Sequence, residues 1–227
     1  MFKLPLVAVF AVAVLNSLAQ AQTSPPSEPP PGAIILFDGT NLEKWQDRKT
    51  GAEPKWKLVD GAAEVNGGDI ETKDKFGDFT LHVEYMIPHE PEHAKGQHRG
   101  NSGVYLQGRY EVQVLDSYGI EADRQGNGAI YMVKAPDKNV SKPPGEWQSY
   151  HIEFRAPRFN DRGEKEANAR ITVIHNGEKI HNDVEIPGTT GGGDKEVPPA
   201  VGPLRLQDHG HKVRYRNIWI VPADAQK

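Results

Sequence analysis

Apolar and polar residues alternate along much of this chain with a period of two. Phe79, Leu81, Val83, Tyr85 and Ile87 fall on one side of an extended segment, and Thr80, His82, Glu84 and Met86 fall on the other. Alternation sustained over nine residues predicts a half-buried strand. Similar runs predict strands over 110–115, 147–154, 169–174, 204–207 and 213–221. Asn176-Gly177 stands between two such runs, and Asn-Gly favours the type I′ turn of a β-hairpin. A sustained helical period with caps is missing; the pattern admits only a short helical turn near Asp38–Leu42. Many short strands separated by Gly, Asn, Asp and Pro imply an all-β sandwich or barrel.

The start of the chain has a different pattern. Lys3 precedes an apolar run from Leu4 to Leu15, and Ala19-Gln20-Ala21 has the small-x-small form of a signal-peptidase site. Residues 1–21 are therefore expected to be a cleaved signal peptide, which places the protein in the periplasm or outside the cell. The run is too short to span a bilayer comfortably and no second one follows, so no membrane association is expected after cleavage. Residues 22–33 are rich in proline and read as an extended spacer. Residues 34–223 then form one domain of about 190 residues, long enough to bury roughly 70% of its unfolded surface.

Composition narrows the chemistry. The chain has no cysteine, which excludes disulfides, thiolate metal sites and thiol nucleophiles. Its formal net charge of −4 offers no basic face for nucleic acid. Residues 189–202 form a Gly/Pro-rich loop that reads as mobile, and 160–166 a charged loop tip. The segment from His89 to His98 carries three histidines, Glu90 and Glu92, while Pro88 and Pro91 argue against helix. It reads first as a solvated loop and second as a lid.

Seven motifs in order resemble one family over nearly the whole mature chain. They are Ile35-Leu36-Phe37-Asp38-Gly39-Thr40-Asn41-Leu42 with Trp45, then Trp56 to Gly61, Gly77-Asp78-Phe79 leading to Glu84, and Asn101 to Tyr105 with Tyr110 to Asp116. Gly145-Glu146-Trp147, Leu206 to Gly210 and Val213 to Ile218 complete the set. The chain resembles the 3-keto-disaccharide hydrolase domain family. That resemblance implies a concanavalin A-like jelly roll, an all-β sandwich of two antiparallel sheets. It also implies cleavage of glycosides whose sugar carries a ketone at C3, with a separate sugar 3-oxidoreductase acting upstream. The long His-rich loop before Asn101 departs from the family pattern.

The candidate chemistry centres on the strand from Tyr110. Glu111 and Gln113 share a face, with Val112 and Val114 turned to the core. Asp116 would join them only if a bulge adds a residue. The spacing is similar to the catalytic strand of laminarinase-type glycosidases, but the middle acid is replaced by Gln113 and the last by the shorter Asp116. A retaining glycosidase needs two carboxyls about 5–5.5 Å apart, which this pattern supplies poorly. A 3-keto sugar needs less: a base for the acidic C2 hydrogen, a group to steady the enolate, and an acid for the leaving oxygen. Glu111 or Asp116 is the expected base, with Asp208 and His209 as acid or polarising groups and His211 on the surface. Asn101, Gln113 and Gln207 are expected to orient hydroxyls, and Tyr105 and Tyr131 to stack on sugar. Arg214 suits either hydroxyl recognition or an ion pair. The four tryptophans read as core or sheet-edge residues. No cofactor is required by these residues, although Asp208-His209-Gly210-His211 or the His-rich loop would suit a divalent ion. Two other readings stand beside this one: a non-catalytic carbohydrate-binding module, and a conventional glycosidase acting on unoxidised glucan.

Overall fold

The computed structural model describes residues 27–223, so the expected signal peptide lies outside the described residues. Strands are numbered in chain order. The larger sheet has eight: β1 (Ile34–Phe37), β3 (Lys57–Val59), β4 (Ala62–Glu64), β6 (Phe79–Met86), β9 (Trp147–Arg155), β12 (Ala169–His175), β13 (Glu178–Ile186) and β15 (Arg214–Pro222). Their order is β13-β12-β9-β6-β15-β4-β3, with β1 pairing the later half of β15 and β4 its first two residues. The smaller sheet has five strands in the order β2 (Trp45–Asp47), β5 (Ile70–Thr72), β14 (Arg205–Leu206), β7 (Ser102–Leu106) and β8 (Tyr110–Val114). A separate hairpin joins β10 (Arg158–Phe159) to β11 (Lys165–Ala167). Every pairing is antiparallel, and the molecule is a jelly-roll sandwich.

The alternation read from the sequence becomes the core. Leu81, Val83, Tyr150 and Ile152 of the large sheet face Val104, Val112, Val114 and Leu206 of the small one, and all eight are fully buried. Each large apolar side chain so placed stabilises the fold by about 1.5–3 kcal/mol. The Asn176-Gly177 turn has φ of 51° and 85°, the left-handed pair that a type I′ turn demands. The helical turn admitted near Asp38–Leu42 does not form. Asp38 Oδ1 accepts the Thr40 N–H at 3.0 Å and Asn41 Oδ1 accepts that of Glu43 at 3.0 Å, so side-chain oxygens close two tight turns in place of a helical one.

Two tyrosines tie the large sheet to the small one. Tyr150 on β9 donates to the carbonyl of Gln113 at 2.7 Å. The Tyr215 hydroxyl on β15 lies 2.7 Å from Ser102 Oγ, which itself donates to the Gln207 carbonyl at 2.6 Å. These buried bonds fix the strands that carry the site.

Candidate functional site

In the small sheet the register aligns a polar row across all five strands. Gln46 is opposite Glu71, Glu71 opposite Arg205, Arg205 opposite Tyr105, and Tyr105 opposite Glu111. The adjacent row, Asp47, Ile70, Leu206, Val104 and Val112, faces the other way, and its aliphatic members enter the core. Strict alternation therefore sends Glu111, Gln113, Tyr105 and Arg205 to the outer face. There they are buried by two loops. Residues 128–131 run beside β8, with the Tyr131 N–H donating to the Glu111 carbonyl at 3.1 Å. The loop after β13 crosses above: Thr190 Oγ1 accepts the Glu111 N–H at 2.9 Å, Gly191 O accepts from the Tyr105 hydroxyl at 3.1 Å, and Gly192 O accepts from Arg205 Nη2 at 2.7 Å. The Gly/Pro-rich loop is thus bonded along its first turn and forms a wall of the site.

The result is a hollow of about 200 Å³ lined by Gln97, Asn101, Tyr105, Glu111, Gln113, Tyr131, Gln207 and His209, with Gly191 and Gly192 at its roof. Seven residues singled out from the sequence meet here: Glu111, Gln113, Asn101, Tyr105, Tyr131, Gln207 and His209. Glu111 is only 3% exposed. Burial pushes its carboxyl up to about 8, against the opposing pull of the Tyr105 hydroxyl and the Arg205 guanidinium, while Asp69 adds to the rise. Two side-chain acceptors, Asn101 Oδ1 and Gln207 Oε1, are buried without a hydrogen-bond partner. Unmet acceptors in a hollow are fitted to donors that arrive with a ligand.

Three expected site residues stand elsewhere. β8 pairs with β7 without a register shift and ends at Val114, so the bulge that would turn Asp116 toward Glu111 is absent from that pairing. Asp116 instead pairs with Arg99 and accepts the Tyr118 N–H at 3.2 Å. Asp208 has both oxygens engaged by backbone N–H groups, accepting from Gly68 across the fold at 2.7 Å and from Gly210 within its own turn at 2.8 Å. Arg214 is on the large sheet, bonded to Glu64 at 2.9 Å. His209 reaches the mouth of the hollow, whereas His211 is half-buried against Glu90, 2.7 Å away. That contact and Gln97 bring the His-rich loop to the rim. Among the described residues no three of His, Asp and Glu converge as a metal cluster.

The site also includes residues that sequence reasoning missed. Arg205 is 2% exposed, and its guanidinium carbon sits 3.6 Å above the Tyr105 ring. Its nearest acid is Asp69, 3.8 Å from Nε. The signal was present in Leu204-Arg205-Leu206-Gln207, where the apolar pair points inward and Arg205 and Gln207 point out together. Gly103 is the second: a Cβ there would lie 2.3 Å from Glu111 Oε1. Only a residue with no side chain leaves room for the carboxyl.

The domain family described as 3-keto-alpha-glucoside-1,2-lyase-like matches residues 32–221. The chain belongs to this family. A crystal structure of a candidate glycosyl hydrolase from Parabacteroides distasonis ATCC 8503 is 39% identical, with a TM-score of 0.76 over 85% of this chain and 84% of that one. A second such protein from the same organism, 24% identical with a TM-score of 0.63 over 85% and 94%, shares the fold. No curated protein matches the chain. Family and neighbours together support a carbohydrate-active role for this 3-keto-glucoside lyase-like domain.

Proposed function

We propose that the protein cleaves the glycosidic bond of 3-keto-glycosides, with Glu111 as the base that takes the C2 proton. The observation that carries this is a single carboxyl in the hollow. Among the described residues Glu111 is the only acid lining it, so the paired carboxylates of an ordinary glycosidase have no counterpart there. A lone base whose pKa is raised to about 8 suits removal of a proton made acidic by a neighbouring ketone.

The steps balance without a further reagent. The Glu111 carboxylate removes the proton from C2, and the electron pair passes into the enolate of the C3 ketone. The enolate collapses, the C1–O bond breaks, and the leaving oxygen takes its pair and a proton from water. The hydroxide left by that water adds to C1 of the C1–C2 double bond, the proton held by Glu111 returns to C2, and the free 3-keto sugar leaves with the carboxylate restored. His209 at the mouth polarises the ketone, Asn101 Oδ1 and Gln207 Oε1 accept sugar hydroxyls, and Tyr131 offers a ring face. A hollow of about 200 Å³ is small beside the roughly 300–1,000 Å³ of most ligand sites. It holds the oxidised ring and leaves the aglycone outside. Such a substrate must come from an oxidoreductase that makes the ketone. The signal-like start of the chain favours action outside the cytoplasm.

The test uses 3-keto-trehalose, unlabelled and deuterated at C2. Glu111→Gln should lower sugar release by about 10²-fold or more, and deuterium should slow the wild-type protein. Undiminished release by Glu111→Gln, or cleavage of trehalose as readily as of its ketone, would overturn the proposal.

A further inference from the structure

A second hollow lies on the opposite side of the sandwich, on the outer face of the large sheet. It measures about 370 Å³, within the roughly 300–1,000 Å³ of small-molecule sites. Its floor comes from register. His82 on β6 is opposite His151 on β9 and Trp219 on β15, and in the next row Glu84 is opposite Ser149 and Arg216. Outward-facing residues of a sheet face usually meet water, yet His82 is only 3% exposed. Trp219 stacks on it with ring centres 5.1 Å apart and planes 12° apart.

What that burial leaves is unusual. Both ring nitrogens of His82 and Nδ1 of His151 are buried without a hydrogen-bond partner, His82 Nε2 coming to 3.6 Å from Glu84 Oε1, and both rings line the hollow. Desolvation, with His82 close by, pushes His151 down to about 4, so that ring is neutral at neutral pH. One wall is a flat stack, with the Arg216 guanidinium carbon 3.9 Å above the Trp147 ring. The Arg216 charge is matched by Glu84 at 2.7 Å; burial would raise the Glu84 carboxyl, but the neighbouring His82, Asn217 and Arg216 hold it down to about 2. Gln148, Ser149 and Asn176 add polar groups to the lining.

We propose that this hollow is a second carbohydrate site that binds one neutral hexopyranose unit. Imidazoles, amides and a hydroxyl each offer donors or acceptors, as hydroxyls of a sugar require. The charges in the lining are Glu84, the Arg216 matched to it, and Lys142, whose Nζ donates to the Trp147 carbonyl at 3.0 Å, so an anion would meet one exposed lysine and no free arginine fork. The Trp147–Arg216 stack gives the apolar ring face a flat surface. The argument uses none of the Glu111 residues, so it stands whether or not the front hollow is catalytic.

The full chain is titrated with glucose, trehalose and galactose by calorimetry, with imidazole NMR signals followed in parallel. Saturable binding is expected, with the His82 and His151 ring signals moving as the site fills. Trp147→Ala and His151→Phe should each weaken binding about tenfold or more, about 1.4 kcal/mol, while Asn101→Ala in the front hollow leaves it unchanged. Unfolding midpoints identify any variant that fails to fold, in which case Trp147→Phe and Arg216→Gln replace it. Absence of binding by all three sugars overturns the proposal. So does binding lost in Asn101→Ala and kept in Trp147→Ala, or binding that leaves both imidazoles unmoved.

Discussion

At the scale of single residues, the site depends on a missing methyl group. Gly103 lies opposite Gln113 in the β7–β8 ladder, and its φ is not in the left-handed region, so an alanine backbone fits there. The added Cβ would meet Glu111 Oε1 at 2.3 Å and Tyr105 Cε2 at 3.0 Å. The carboxyl is the softer neighbour and would swing aside. Gly103→Ala should therefore fold and unfold much as the parent does, yet lose turnover of a 3-keto-glucoside by about 10²-fold, the cost of an ångström of misplacement. Turnover and thermal midpoint measured together decide it. An unchanged kcat would mean that the Glu111 position is not critical.

At the scale of elements, strands were legible and loops were not. The long runs found by period two became β6, β8, β9, β12 and β15 with shifts of a residue or so at their ends, because apolar burial fixes the face of each strand. Glu111 and Gln113 could be placed on one face for the same reason. Asp116 could not, because its position depended on a bulge, and alternation alone does not say whether one forms. Arg205 was hidden by a strand of only two residues. The role of the loop after β13 was invisible because its bonds span the chain: Thr190 reaches Glu111 and Arg109, far away in sequence. That loop is what buries Glu111, and burial is the first cause of its raised pKa. Thr190→Val keeps the shape but leaves the Glu111 N–H without its acceptor at 2.9 Å, a loss of about 1–3 kcal/mol. The roof should loosen, water should reach the carboxyl, and the rising limb of the pH–rate profile should move from about 8 toward the ordinary 4.5. A limb that stays in place would show that the strand, and not the loop, sets the basicity.

At the scale of the whole molecule, buried titratable groups pull stability in opposite directions. Burial pushes His175 down to about 3, and His151 and His181 down to about 4, from an ordinary 6.5. Between those values the unfolded chain binds more protons than the native one, so stability rises with pH up to about 6.5. Glu111 has the opposite sign. Its native pKa of about 8 lies above the ordinary 4.5, so the folded chain holds the extra proton and stability falls as pH rises through that window. Each proton of difference is worth about 1.4 kcal/mol per pH unit. From 4.5 to 6.5 three histidines oppose one glutamate, and stability still climbs; from 6.5 to 8 the glutamate acts without them and stability declines. Below 4.5 the Glu84 carboxylate, held down to about 2, steepens the acid loss. Thermal midpoints across pH should therefore peak near about 6.5. Glu111→Gln imitates the protonated side chain, so it should flatten the decline above the peak and leave an acid limb at least as steep. If the alkaline decline survives that substitution unchanged, Glu111 does not carry a proton into the folded state, and the base assigned to the front hollow loses its main electrostatic support.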